Sequence, residues 1–549
     1  MSKGPIVVEV PERFNAAAFF VDRHPADGRG SRAVFRYRGR VVTYAQLHER
    51  VNRFGNALRD LGVEVENRVL LILPDCPEFA EVFWGAIKIG AVPVPVNPWL
   101  KGADYAFLLQ DSRAKAVVAA AEAAAQIAPV RDQCRSLRHL IVVGDRAPNA
   151  LAYEDLVARA SASLEPADTS RDDVALWGYT SGSTGKPKAA VHLQQDLLQA
   201  ADLVGRQIFG ITHDDLIFSA SKLFFVYGLG NSLYFPARVG AASVLVPERI
   251  EPERAFEVIA AERPTVFFTV ATLYARMLQV EGAERRFDLS SLRLCVSSGE
   301  ALPTAVFHAW KSRFGHELLD VVGSTEALHD FIANRPGEVR PGASGKVIPG
   351  FEARLVDDRG NPVLEGNVGH LLIKAPTAAP YYWKRPVQTR ATMLGEWLKT
   401  GDMFYQDSDG YFYFCGRSDD MLKVGGMWVS PIEVEGAILE HPAVVEAGVV
   451  GRPDDDGLTK PHAFVVLKAG STPSDQLAQE IREFVRKRLA GYKAPRWVEF
   501  VPDLPKTATG KVQRFRLRAE GGSAPLPTPP PSDSLRGQSP RSNTARSGE

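Results

Sequence analysis

From Thr43 the chain reads Thr-Tyr-Ala-Gln46, a capping pattern, ahead of apolar residues at Leu47, Val51, Phe54, Leu58 and Leu61. Alternating steps of four and three put those side chains on one helical face, and Gly62 is placed to end the helix. The unbroken apolar run 69–73 predicts a buried strand, and 78–89 predicts another helix. Further apolar runs at 140–143, 216–218, 243–246, 265–268 and 292–296 alternate with helical patterns. Such alternation predicts α/β layers with largely parallel sheets. After Gly416 the texture changes. Residues 411–414 read as a short strand and 416–420 as a polar turn. Strands near 446–450 and 462–467 then precede a charged helix at 475–489. The expected organisation is a large α/β domain over residues 1–418, a small α+β domain over 419–519, and a disordered tail over 520–549 dense in Pro, Ser and Gly.

Composition narrows the class without naming it. The 549 residues are 45% hydrophobic and 24% charged, a globular balance too long for one core. Lys+Arg and Asp+Glu are equal at 65 each. No global field therefore favours nucleic acid or an anionic membrane. Cys76, Cys134, Cys295 and Cys415 are scattered without metal-binding spacing, as expected of buried thiols in a reducing compartment. With no apolar run of membrane-spanning length and no signal-peptide pattern, a cytoplasmic location is expected. A homodimer is one assembly the sequence allows.

The chemistry begins in a loop. Tyr179-Thr180-Ser181-Gly182-Ser183-Thr184-Gly185-Lys186-Pro187-Lys188 follows the apolar strand pattern 174–178. Small residues let amides and hydroxyls close around phosphate oxygens, and lysines offset their charge. The glycine spacing and Pro187 exclude the Walker A pattern. Taken alone, the loop could be an ordinary polar surface turn. Downstream lie Gly323-Ser-Thr-Glu326, Thr400-Gly-Asp402, Gly416-Arg-Ser-Asp-Asp420 and Pro505-Lys-Thr-Ala-Thr-Gly-Lys511. On residues alone, Asp402 suits either a turn or both hydroxyls of a ribose, and Glu326 either surface charge or a cation.

These five stretches, in this order and spanning nearly the whole chain, resemble the acyl-adenylate-forming superfamily of acyl-CoA synthetases, carrier-protein adenylation domains and beetle luciferases. The resemblance implies ATP, Mg²⁺ and coenzyme A, with residues 180–188 as a mobile phosphate loop. Ala189 stands where glycine is usual, which costs that loop some backbone freedom. It implies Glu326 as the Mg²⁺ ligand and Thr325 as an α-phosphate contact. Ser298, Gly299, Glu300 and Ala301, with Asp320 and Val321, would line the adenine pocket. Asp402 and Arg417 would clamp ribose, and Asp419 would be the hinge on which the small domain swings. Lys511 would bridge carboxylate and α-phosphate during adenylation, where a cation counts most as charge develops. Lys506 is expected to be structural or solvated. Lys423, Gly425 and Gly426 would flank the thiol channel.

Two segments address the acid. Lys222-Leu-Phe-Phe-Val-Tyr-Gly and Gly323-Ser-Thr-Glu-Ala-Leu-His-Asp330 resemble the benzoate- and hydroxybenzoate-CoA ligase branch. There Val226, Tyr227, Gly323, His329 and Asp330 would border an aryl ring gated by Phe225, since flat walls suit a small planar acid. Val226 is bulkier than the alanine expected, which predicts a tight pocket. Asp330 stands where that branch commonly has an apolar residue. It either turns outward or accepts from a ring hydroxyl or amino group. The expected activity is ATP-dependent aryl-CoA ligation of benzoate or a small polar analogue. Loading an aryl acid onto a carrier protein, and non-catalytic nucleotide binding, remain the alternatives at this point.

Overall fold

The computed structural model describes residues 8–180, 186–424, 427–506 and 512–520. The Thr43 cap forms as its pattern predicts. The hydroxyl accepts from the Gln46 amide, and the Gln46 side chain accepts from the Thr43 amide at 2.9 Å. The helix Tyr44–Asp60 buries Leu47, Val51, Phe54 and Leu58, and Gly62 leaves it at φ +73°.

Two sheets carry the larger part of the chain. In the five-stranded sheet, Val92–Pro95, Arg68–Ile72, Ala116–Ala120, His139–Val143 and Leu151–Ala152 lie side by side, every pair parallel. The nine-stranded sheet runs Lys346–Val347, Asp330–Ala333, Leu318–Gly323, Leu294–Ser298, Val266–Thr269, Leu216–Ser219, Ala242–Leu245, Ala33–Tyr37 and Arg40–Thr43. Its six central strands are parallel and its edges antiparallel. The central strands are apolar on both faces because helices cover both, as parallel sheets require.

A third sheet, antiparallel, joins Glu352–Val356, Gly369–Lys374, Trp397–Gln406, Met393–Leu394 and Phe412–Arg417. The strand Phe412–Arg417 runs further than the pattern suggested. Gly416 and Arg417 remain paired, with Arg417 opposite Asp402, so the turn is confined to 418–420.

The chain from Leu422 to Ala494 holds a hydrophobic cluster of its own. Val444–Pro453, Thr459–Leu467 and Trp497–Phe500 form a sheet whose one face packs Val449 and Val465 against Val434, Ile438, Ile481 and Val485. The opposite face presents Val450 and Phe464 to Leu504 and Leu517, which seats the helix Arg514–Glu520. Adjacent Val449 and Val450 thus serve opposite faces, the period of two at work. Glu520 closes that helix rather than opening the tail; residues 521–549 lie outside the described ones. All four cysteines are buried and free. Among the described residues no helix is long and apolar enough to cross a membrane.

Candidate functional site

The motifs assemble where the parallel strands end. Residues after Leu216–Ser219, Leu294–Ser298 and Leu318–Gly323 are the aromatic segment, Gly299–Glu300 and Ser324–Glu326. Carboxyl ends of parallel strands are where open α/β sheets present ligand crevices. Over this edge lies the hairpin Val174–Thr180 and Lys188–Leu193. A Cβ on Gly178 would stand 2.8 Å from Thr325 Cγ2 and 2.9 Å from Val226 Cγ1. Glycine there lets the hairpin strand touch both the Glu326 motif and the aromatic segment.

Glu326 is held from two sides. Its Oε1 accepts from the Tyr382 hydroxyl at 2.6 Å and lies 3.4 Å from Lys188 Nζ. Lys188 in turn donates to the Tyr382 oxygen at 2.6 Å. Burial, then the Glu326 charge, pushes the Tyr382 phenol far above its ordinary range. Tyr382 therefore stays a neutral bridge, accepting from the cation and donating to the anion. One carboxylate, engaged through one oxygen, fits an ion that keeps waters and takes most ligands from phosphate. Among the described residues no group of three His, Cys, Asp or Glu could hold a metal by itself.

The backbone of the motif is fastened too. His192, fully buried, donates from Nε2 to the Thr325 carbonyl at 2.7 Å, while its Nδ1 lies 3.2 Å from Asp196 Oδ2. The Ala379 amide donates to the Glu326 carbonyl, and the Thr377 hydroxyl to that of Ala327. Leu328 then adopts φ +64° and ψ −37°, with the His329 amide donating to the Ala327 carbonyl at 2.8 Å. This γ-turn on a side-chain-bearing residue is strained. It sets Glu326 and His329 on either side of one fixed corner.

Beyond the corner is an aromatic wall. The His329 ring lies 4.5 Å from Phe235 and 5.4 Å from Tyr227, and Tyr227 stands edge-on to Phe268. Phe225 precedes the short helix Val226–Leu229 and packs on Phe224, which meets Trp99. Gly323 leaves room for the His329 carbonyl, 2.5 Å from where its Cβ would sit. Asp330 is 1% exposed, which rules out the outward one of its two expected orientations. The strand register, with a bulge between Val322 and Gly323, directs it inward to the Ser298 hydroxyl, which donates to its Oδ1 at 2.9 Å.

The remaining expected residues fall in three places. Asp402 accepts from Arg417 Nη1 at 2.8 Å. That carboxylate is the main cause raising the Arg417 pKa, and Glu326 and Asp419 add to it. Glu300 Oε2 instead accepts from the Thr272 amide and hydroxyl, leaving Oε1 without a hydrogen-bond partner among the described residues. Burial drives the Asp320 carboxyl well above its ordinary range, against bonds from Ser344 and the Leu302 backbone, while Val321 is buried core. Ala301 is half-buried just past Glu300, and Thr180 ends the hairpin strand. Lys186 lies over the Phe107 ring and Lys423 over Trp428.

Asp419 contributes its carbonyl to Arg518, and Asp420 pairs with Arg518 and Arg514 rather than with solvent. Lys506 is structural, bridging Glu446 and Asp503. Ser181, Gly182, Ser183, Thr184, Gly185, Gly425, Gly426 and Lys511 lie outside the described residues. The pattern reading missed Tyr382, His192 and Asp196. The run Tyr381-Tyr-Trp-Lys-Arg385, aromatics beside cations, was the available signal for the first. A histidine near a strand's end and an aspartate four residues on, in the following helix, gave weaker notice of the others.

Parallel strands that gather the Glu326 motif and the aromatic segment at their carboxyl ends, beneath the hairpin of Val174–Thr180 and Lys188–Leu193 and followed by a separately packed α+β unit, define an adenylate-forming type of fold. The comparisons place the chain within it. The AMP-binding enzyme family matches residues 22–383, and the AMP-binding enzyme C-terminal domain matches 433–511. The chain belongs to the AMP-binding enzyme family. It is 46% identical to a benzoate–CoA ligase of Thauera aromatica, over 94% of this chain and 98% of that one. To a 4-hydroxybenzoate–CoA/benzoate–CoA ligase of Rhodopseudomonas palustris it is 43% identical, over 92% and 94%. The crystal structure of the anthranilate CoA ligase AuaEII in complex with anthranoyl-AMP superposes with a TM-score of 0.89 at 41% identity, covering 93% of this chain and 98% of that one.

Proposed function

We propose that this protein is an ATP-dependent aryl-CoA ligase, activating a benzoate-type acid as its acyl-adenylate and passing the acyl group to coenzyme A. The observation that carries the reading is the γ-turn at Leu328, which joins Glu326 to the His329–Tyr227–Phe235 wall within one short corner. The likeness to aryl-CoA ligases over nearly the full length supports it.

On this reading the wall orients the ring so that the carboxylate points to the α-phosphate, where alignment alone lowers the barrier. Thr180, Lys186 and Lys188 serve the β- and γ-phosphates together with residues 181–185. Glu326 would hold Mg²⁺, which when bound offsets phosphate charge. Tyr382 bonds both Glu326 and Lys188, which also pair directly at 3.4 Å, so each is oriented before substrate arrives. Asp402 and Arg417 clamp ribose. Lys511 is the cation for the adenylation step, and Lys423, Gly425 and Gly426 border the thiol path. Residues 1–418 form the adenylating domain and 419–519 the moving one, hinged at Asp419. Incubation with ATP, Mg²⁺, CoA and a panel of aryl and fatty acids, read by mass spectrometry, tests the reading. Aryl-CoA products with AMP and pyrophosphate are expected. Fatty acyl-CoA with no aryl product would overturn it, and adenylate without CoA product would point to a carrier-bound thiol.

A further inference from the structure

Asp330 brings a carboxylate to the aromatic wall and leaves half of it unused. Oδ1 accepts from Ser298, but Oδ2 has no hydrogen-bond partner among the described residues. His329 Nδ1 lies 3.0 Å from Oδ2, yet the two are adjacent in the chain and not aligned for a hydrogen bond. The Asp330 side chain is 1% exposed, so water does not compensate that oxygen from the surface. A buried acceptor left in this way is costly, and folded proteins keep few of them.

Its surroundings share the condition. Tyr234 Oη and both His329 ring nitrogens also lack hydrogen-bond partners among the described residues, while Tyr227 and Asn231 have only each other. They converge, since a Cβ placed on Gly230 would meet His329 Nε2 at 2.7 Å and Tyr234 Oη at 2.8 Å. Burial first, and then the charge of Asp330, raises both tyrosine hydroxyls well above their ordinary range, so both are neutral. An all-apolar wall would serve a bare phenyl ring better than this cluster. Polar groups fixed without partners around an aromatic face suit a ring that carries its own polar substituent.

We propose that Asp330 Oδ2 accepts a hydrogen bond from an N–H or O–H borne directly on the aromatic ring of the acid, making Asp330 the residue that selects ring-amino or ring-hydroxy benzoates over unsubstituted and alkyl-substituted ones. The proposal rests on the aryl-CoA ligase reading above. Ser298 is the positioning residue: its hydroxyl occupies Oδ1 and so leaves Oδ2 as the oxygen offered to the ring.

The test compares isosteres, because methyl, amino and hydroxyl groups differ little in size. With the full chain, ATP, Mg²⁺ and CoA, kcat/KM is measured for benzoate and for its amino, hydroxy and methyl derivatives at each ring position. At one position the donor-bearing acid is expected to exceed its methyl counterpart by about 100-fold or more, since a site built for a donor rejects the analogue lacking one. In Asp330→Ile that donor-to-methyl ratio should collapse to within about tenfold. The better of amino and hydroxyl identifies the substituent.

A ratio near one at every position in the unaltered protein would overturn the proposal, even if Asp330→Ile failed to fold. So would a ratio that survived in a folded Asp330→Ile. Either result, with benzoate and methylbenzoates turned over, leaves the ligase reading standing. Absence of turnover for every aryl acid would remove both.

Discussion

Gly230 offers the sharpest test of the aromatic wall. It is buried at the start of the π-helical segment Gly230–Tyr234. A Cβ there would stand 2.4 Å from His329 Cδ2, 2.7 Å from its Nε2 and 2.8 Å from Tyr234 Oη. Carbon atoms rest at about 3.5 Å or more, so the His329 ring would have to retreat by about 1 Å. It has little room, with Phe235 centred 4.5 Å away and the strand carrying Asp330 behind it. Overpacking of this kind costs about 1–3 kcal/mol, and the better helix propensity of alanine returns up to about 1. A net of about 1–2 kcal/mol, expressed as displacement of a wall the acid must rest on, weakens acid binding by roughly 5- to 30-fold.

Steady-state kinetics on Gly230→Ala should therefore show the KM for the acid rising by that factor, while the KM for ATP changes by less than about threefold. Gly436→Ala is the matched control. It lies in the helix Pro431–Leu439 with no heavy atom within 4 Å of its Cβ position. That variant should gain about 1 kcal/mol from helix propensity and keep its kinetics. A folded Gly230→Ala with unchanged acid KM would refute the placement of His329 beside the acid.

Other expectations follow from single contacts. Tyr382→Phe removes the hydroxyl between Lys188 and Glu326, and losing one hydrogen bond to a charged group, at about 1.5–3 kcal/mol, should lower adenylation by roughly 10- to 150-fold and raise the Mg²⁺ concentration needed for half-maximal rate. Unchanged Mg²⁺ dependence would count against Glu326 as the metal ligand. Buried His24 donates from Nε2 to the Ala237 carbonyl and accepts at Nδ1 from Arg29, and burial lowers its pKa to about 4. Because the unfolded chain binds that proton near pH 6.5, the stabilisation is whole above pH 6.5 and is lost as pH falls toward 4, by up to ~3 kcal/mol. His24→Gln should flatten the fall of the unfolding temperature over that window, and an unaltered slope would refute the assignment. Arg514 forms a two-pronged pair with Glu435, both largely buried, and breaking such a pair costs about 3–5 kcal/mol. Arg514→Met should abolish hydrogen-exchange protection in the helix Arg514–Glu520 and slow adenylation, since Lys511 lies three positions earlier. Unaltered exchange would show that the pair does not secure the helix.

What the sequence by itself determined is local. The start and end of the helix Tyr44–Asp60 follow from Thr43, Gln46 and Gly62, whose hydrogen bonds and φ angle involve neighbours within a turn. The parallel strands follow from apolar runs, and the order of motifs places their residues at strand ends. Tertiary structure alone decided which of these side chains meet. His192 reaches Thr325 across 133 positions, Tyr382 reaches Glu326 across 56, and Ser298 reaches Asp330 across 32. No periodicity encodes such pairings, because they depend on how sheets and loops stack. Asp330 shows the limit most plainly. Successive strand residues face opposite sides, and in Asp330–Ala333 both sides are buried, so a one-residue shift in register changes which buried neighbours a side chain meets. The bulge between Val322 and Gly323 sets that register, and with it the inward carboxylate that the sequence could only offer as one of two orientations.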